Sequence, residues 1–235
     1  MRWHHPTLGS IPAAEFIPIA ESTGNIANLT LWALERAVDA LDTWNRQRPQ
    51  VFPLYVTVNL SRKQIGDQQL LDHLHAVLSA SAVAPAQLVL EITESLALVD
   101  LEQTRLFLRA LKSLGLRLAL DDFGTGYSSL SCLHELPIDI VKLDHGFVEA
   151  AEKETRALRS VQGVVRMAHA LGLEVVTQGV ERPAHYDLMK RVGCDLVQGY
   201  LIARPLEPLA VPHWLARHPA GVGTHRPADQ VEVAS

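Results

Sequence analysis

Apolar residues fall along this chain in short, nearly unbroken runs, separated by longer stretches with helical spacing. The runs are Tyr55 to Leu60, Leu88 to Ile92, Leu116 to Leu120, Asp139 to Leu143, Leu173 to Val176 and Asp195 to Val197. Each has the length of a strand. Near-continuous apolarity fits parallel strands covered on both faces, because a half-exposed antiparallel strand alternates instead. Between the runs, Leu101, Leu108, Leu111 and Leu114 share one helical face, with Gly115 placed as the stop. Leu158, Val161, Val165 and Ala168 repeat the arrangement ahead of Gly172. Nearer the start, residues 15–21 and 29–44 read as helices, the second with Leu31, Leu34, Val38 and Leu41 on one side. Strand alternating with helix predicts parallel βα units, either a closed barrel or an open doubly wound sheet. Of the six strands counted, a single one precedes residue 80.

The length of 235 residues suits one large α/β domain, and 48% hydrophobic with 20% charged residues is ordinary for a folded protein. From Pro219 onward the chain is small, polar and aperiodic, so the expected division is a domain over 1–212 and a flexible tail or linker over 213–235. A net charge of −5 provides no general field for a nucleic acid polymer or an anionic membrane, so a bound phosphate must be held locally. No apolar run approaches the roughly 18 residues of a membrane span, and MRWHHPT lacks a signal peptide's apolar core, so membrane insertion is not expected. Cys132 and Cys194 lack a CxxC spacing and read as buried free thiols, which suits a reducing cytoplasm. The eleven histidines, among them His4, His5, His73, His75, His213 and His225, show no ligand spacing and read as surface residues.

In parallel α/β architectures the reacting groups stand at the carboxyl ends of the strands. Here the runs finish, in order, with Asn59, Glu91, the pair Asp121 and Asp122, Lys142, Gln178 and Gln198. A lone strand-terminal Asp or Asn is more often a turn former or helix cap. Residues 121–126, DDFGTG, read by themselves as a strand-to-loop turn with Gly124 and Gly126 at positive φ. Lys142 alone reads equally as a salt bridge to a neighbouring carboxylate. Repetition at the same end of every strand favours one shared mouth. An Asn, a Glu and two Asp form a hard-oxygen set suited to magnesium, manganese or calcium and not to zinc. Two such ions bridged by Asp121 would clamp a phosphodiester and activate water at neutral pH. Lys142 would then offset phosphate charge or hold the attacking water.

The strand ends also carry motifs: EFIPIAE at 15–21, VNLS at 58–61, LEITES at 90–95, DDFGTGYSSL at 121–130, LPIDIVKLD at 136–144 and QGYLIARPL at 198–206. Together, from Arg2 to about Leu206, they resemble the EAL family of bacterial signalling domains. The resemblance implies a modified (β/α)8 TIM-like barrel that hydrolyses cyclic di-GMP to linear pGpG with two Mg2+ or Mn2+ ions; calcium usually inhibits. It implies metal ligation by Asn59, Glu91 and Asp121, service to the second ion by Asp122, and positioning or activation of water by Lys142. Gln198 would bind ligand near the metals, Pro205 would contact it from the same motif, and Arg2 would meet a ligand phosphate. Glu94 would brace the DDFGTG loop, which the family uses at the site and in homodimer contacts. Sensory, receiver or GGDEF-type domains, or another protein partner, are further implied companions.

Two departures bear on activity. In the family a Glu-Ala-Leu tripeptide, whose Glu ligates a metal, lies shortly before the Arg-Trp pair; this sequence opens at Met1-Arg2-Trp3. The expectation is an N-terminally truncated domain lacking its first two strands. The second departure is Thr177-Gln178-Gly179-Val180-Glu181, where the family reads Ala-Glu-Gly-Val-Glu. The Gln178 amide keeps the shape of the carboxylate but not its charge, so it can coordinate or hold water yet cannot act as a base. Glu181 is expected to point elsewhere. His145-Gly146 stands where Arg-Ser is common. The expectation is a cyclic di-GMP-binding or regulatory domain with weakened metal occupancy and impaired hydrolysis. The alternative is an active metal-dependent phosphodiesterase whose upstream segment lies outside this sequence.

Overall fold

The computed structural model describes residues 1, 3–47, 54–94, 100–124 and 133–218. The chain opens with β1 (Trp3–His5) and β2 (Gly9–Ile11), then α1 (Ala13–Thr23), α2 (Ile26–Gln47) and β3 (Val56–Asn59). Next come α3 (Gln68–Ser79), β4 (Leu88–Thr93), α4 (Leu101–Ser113), β5 (Arg117–Phe123) and β6 (Ile140–Leu143). The remainder is α5 (His145–Lys153), α6 (Thr155–Ala170), β7 (Glu174–Thr177), α7 (Pro183–Val192), β8 (Leu196–Val197) and α8 (Val211–Arg217).

Strands β3 to β8 form one parallel sheet in chain order, a curled portion of a TIM-like barrel. These are the six strands expected from the apolar runs, displaced by no more than a few residues. Parallel neighbours require long crossovers, and α3, α4, the pair α5 and α6, and α7 supply four of the five. The short antiparallel hairpin β1–β2 stands apart and was not anticipated. Three residues per strand, largely exposed, leave no periodic signal to read.

Helix starts follow local chemistry. Asp67 accepts from the Gln69 and Leu70 amides ahead of α3, Asp100 from Gln103 ahead of α4, and Asp144 from Gly146 ahead of α5. Gly115 and Gly172, the expected stops, lie just beyond α4 and α6 at φ of 86° and 76°. The expected boundary at 212 falls inside α8, whose Leu215 is buried.

One device recurs at the amino end of the sheet. The Asp139 carboxylate accepts the Leu118 N–H at 2.8 Å while pairing with Lys112 of α4 at 2.6 Å. The Asp195 carboxylate likewise accepts the Val175 N–H at 2.8 Å and meets His169 Nε2 of α6 at 2.7 Å. Each carboxylate thereby fastens a helix to two adjacent strands.

The histidines divide. His4, His5, His75 and His213 are not buried, whereas His73 is half-buried beside Glu35 and His185 is buried. Among the described residues, no helix is long and apolar enough to cross a membrane.

Candidate functional site

Side chains alternate across a strand, so each strand of a curled sheet sends every second residue to the concave face. Val89, Ala119, Ile140, Val176 and Leu196 from β4 to β8, with Tyr55 immediately before β3, form a compact buried cluster on that face, separate from the large core shared with the helices. Moving two residues toward the carboxyl end keeps the same face and reaches Glu91, Asp121, Lys142, Gln178 and Gln198. On β3 the equivalent place is taken by Asn59, four residues beyond Tyr55, because Asn59 lies in register beside Glu91. An apolar floor therefore carries a polar layer that faces the mouth.

The polar layer is internally paired. Lys142 Nζ donates to Glu91 Oε1 and lies 3.8 Å from Asp121 Oδ1; both Lys142 and Glu91 are almost wholly buried. Gln178 Nε2 donates to Asp121 Oδ1 at 3.0 Å, and the Asp122 N–H donates to the same oxygen at 3.0 Å. Glu91, Lys142, Asp121 and Gln178 thus form a continuous chain across four strands. The amide at 178 meets the carboxylate of Asp121, the residue expected to bridge two ions. Gln198 adds a buried Oε1 with no hydrogen-bond partner among the described residues.

The carboxyl end of β5 is reshaped by an irregularity in its pairing. The pairing of β5 with β6 shifts register between Leu120 and Phe123, a bulge that inserts one residue and re-aims its neighbours. Asp122 sits in the bulge at φ 53°, a left-handed conformation that Asp tolerates better than most side chains, and it is exposed. Phe123 returns to the helix-side core. Glu94 Oε2 accepts the Gly124 N–H at 3.1 Å. Partial burial, with the charges of Asp121 and Asp144 beside it, raises the Asp122 carboxyl above the usual range, against an opposing pull from Lys142.

The expected residues do not all gather equally. Glu91, Asp121, Lys142 and Gln178 touch in one chain, Asn59 lies in register beside Glu91, and Gln198 follows β8 on the same face. Pro205 is exposed farther along, next to Arg204, whose guanidinium lies 4.8 Å from the Tyr200 ring. Arg2 and residues 125–132 lie outside the described residues. Glu181 is exposed. Cys194 accepts from Thr177 Oγ1 at 3.0 Å, and burial pushes its thiol up to about 11, an inert packing residue. Asp144 had no assigned role, yet its charge acts on Asp122. The signal was available, because Asp144 stands two residues beyond Lys142 at the same strand end.

Among the described residues, no group of three or more His, Cys, Asp or Glu is already arranged around a metal position. The donor chemistry nevertheless fits a hard divalent ion. Glu91 and Asp121 both converge on one positive charge, the Lys142 ammonium, and Asn59 adds a neutral oxygen alongside. The same observation shows what such an ion must displace or share.

A family model described as the EAL domain matches residues 1–205. An uncharacterized signaling protein of Caulobacter vibrioides is 40% identical over 91% of this chain, and the cyclic di-GMP phosphodiesterase NbdA of Pseudomonas aeruginosa is 39% identical over 89%. The chain spans 26% of the length of each of these two relatives. Among solved structures, the PaMucR phosphodiesterase in its c-di-GMP complex superposes with a TM-score of 0.82 at 34% identity, covering 89% of this chain and 84% of that one. The polar layer over an apolar cluster, on six parallel strands with the matched sequence running through all of them, makes this chain a member of the EAL domain family.

Proposed function

We propose that this chain recognises cyclic di-GMP at the carboxyl-end mouth of its sheet and hydrolyses it poorly, acting mainly as a ligand-binding or regulatory module. The observation that carries the reading is the Gln178 to Asp121 hydrogen bond, in which a neutral amide stands where the family's pattern has a carboxylate. A carboxylate there would repel Asp121 and call for a cation between them. The amide satisfies Asp121 directly and removes one negative charge from the layer.

A divalent ion, when bound, supplies charge neutralisation for the phosphodiester and acidifies a water. Glu91, Asp121 and Asn59 would hold the first ion, and Asp122 would serve the second; Mg2+ or Mn2+ suits these hard donors. Lys142 carries the fixed positive charge that faces the phosphate or holds the water. Gln198, whose buried oxygen has no hydrogen-bond partner among the described residues, accepts a hydrogen bond from the nucleotide or from an ordered water. Gln178 orients Asp121 but cannot take a proton from the nucleophile. The reading extends to a cytoplasmic setting, a homodimer and attached signalling domains, in keeping with the greater length of the relatives.

A second reading, an active phosphodiesterase, draws on the retained Asn59, Glu91, Asp121, Asp122 and Lys142 and on the likeness to NbdA, a cyclic di-GMP phosphodiesterase. Calorimetric titration of the chain with cyclic di-GMP in the presence of Mn2+ tests recognition. Saturable binding of one nucleotide, weakened in Gln198→Ala, is expected; no heat and no competition with a fluorescent analogue would rule the proposal out.

A further inference from the structure

We infer that the first turn of α5 is a wedge that sets the spacing of the two turns carrying Asp122 and Gln178, with Phe147 and His145 as positioning residues. The inference rests on the reading of the mouth as the site, but its evidence is separate. Two glycines follow the site residues closely, Gly124 after Asp122 and Gly179 after Gln178, both at positive φ of 91° and 72°. Neither has room for a side chain. A Cβ on Gly124 would lie closer than 3.0 Å to two atoms of the Phe147 ring, and one on Gly179 closer than 3.0 Å to His145 Cβ. One helical turn thus presses against both turns at once.

That turn is itself anchored. Asp144, the residue before α5, accepts the Gly146 N–H at 2.9 Å and pairs with His145 Nδ1 at 3.0 Å. The Asp122–Gly124 turn is held from the opposite side by Glu94 at 3.1 Å. It therefore lies clamped between a strand-end carboxylate and an aromatic ring. Ion-binding groups held by such supporting contacts commonly lose about 10- to 100-fold in affinity when the support is removed.

The test compares the unmodified chain with Phe147→Ala, Phe147→Leu and His145→Gly, following amide hydrogen exchange without ligand and Mn2+ affinity by calorimetry. Phe147→Ala is expected to speed exchange of the Gly124 amide about tenfold or more and to weaken Mn2+ binding by about tenfold, with Phe147→Leu intermediate. His145→Gly, which removes the Cβ that faces Gly179, is expected to do the same for Val180, whose N–H bonds the Gln198 carbonyl at 3.0 Å. Unchanged Gly124 exchange in a folded Phe147→Ala overturns the inference. So does faster exchange with Mn2+ affinity untouched, which would leave Phe147 a packing residue only. If Phe147→Ala fails to fold, Phe147→Leu carries the same two outcomes. If the unmodified chain takes up no Mn2+, the ion-holding roles in the functional reading fail, while exchange at Gly124 still decides whether the wedge exists.

Discussion

Replacing Lys142 by Met is the most informative perturbation of the polar layer. The side chain is 4% exposed and its partner Glu91 is 3% exposed, so the pair sits in a setting that screens charge weakly. Met preserves the bulk of the chain and removes the ammonium, leaving the Glu91 carboxylate buried opposite an apolar group and Asp121 without its 3.8 Å neighbour. Breaking a buried ion pair from one side costs about 3–5 kcal/mol, most of it the penalty of the stranded charge. For a domain of this size, each kcal/mol lowers the melting temperature by about 2–4 °C, so a fall of about 6–20 °C is expected. Urea unfolding followed by circular dichroism measures the free energy, and the Glu91→Gln and double variants complete a cycle. The double variant should recover much of the loss, with a coupling of about 2 kcal/mol or more. Mn2+ should stabilise Lys142→Met more than the unmodified chain, because a cation then meets two carboxylates with no competing ammonium; at a hundred times its dissociation constant the gain is about 2.7 kcal/mol. A single-variant cost below about 1 kcal/mol, with no coupling to Glu91, would refute the paired layer.

Three further outcomes follow from the geometry. Gln178→Glu should raise Mn2+ affinity by more than about tenfold in a calorimetric titration, since it restores a charged donor beside Asp121; equal affinity would place residue 178 outside the ion's reach. The exposed His145 ring is held above the ordinary histidine value by its hydrogen bond and ion pair with Asp144. Asp144 in turn lies below the ordinary carboxylate range, because the Gly146 amide and His145 outweigh the upward push of burial. The charged pair is therefore present between the lowered Asp144 value and the raised His145 value, and is lost as pH rises through the latter. Proton NMR of His145 should show that upward displacement and its disappearance in Asp144→Asn. Gly199→Ala should cost about 3 kcal/mol or more, because a Cβ there would overlap the Val180 backbone, which cannot yield as a side-chain tip would; an unchanged unfolding midpoint would show that the β7 and β8 loops separate freely.

Much of this molecule was legible before its coordinates. The six parallel strands announced themselves because both faces are buried, which turns a strand into a continuous apolar run such as Leu88–Ile92. The candidate site was legible for a related reason: a charged residue near the carboxyl end of a buried run is conspicuous, as Glu91 and Lys142 are. Which of these residues touch was not legible, because that depends on the stagger between strands. Lys142 of β6 reaches Glu91 of β4 across the intervening β5, a contact no spacing encodes. The bulge at Asp121 and Asp122 was equally hidden, since the residue string reads the same whether or not the ladder slips. The contact of His145 with Gly179 is tertiary, so the His145-Gly146 departure looked incidental from sequence alone.

The central claim, that nucleotide recognition survives where hydrolysis is weakened by the amide at 178, is tested most directly by turnover. The purified chain and its Gln178→Glu variant are incubated with cyclic di-GMP and excess Mn2+, and the nucleotide is followed by chromatography. The account predicts that the unmodified chain returns the nucleotide largely intact while binding it, and that the variant yields pGpG at a rate more than about tenfold higher. Rapid conversion by the unmodified chain, with no gain from the variant, would contradict it.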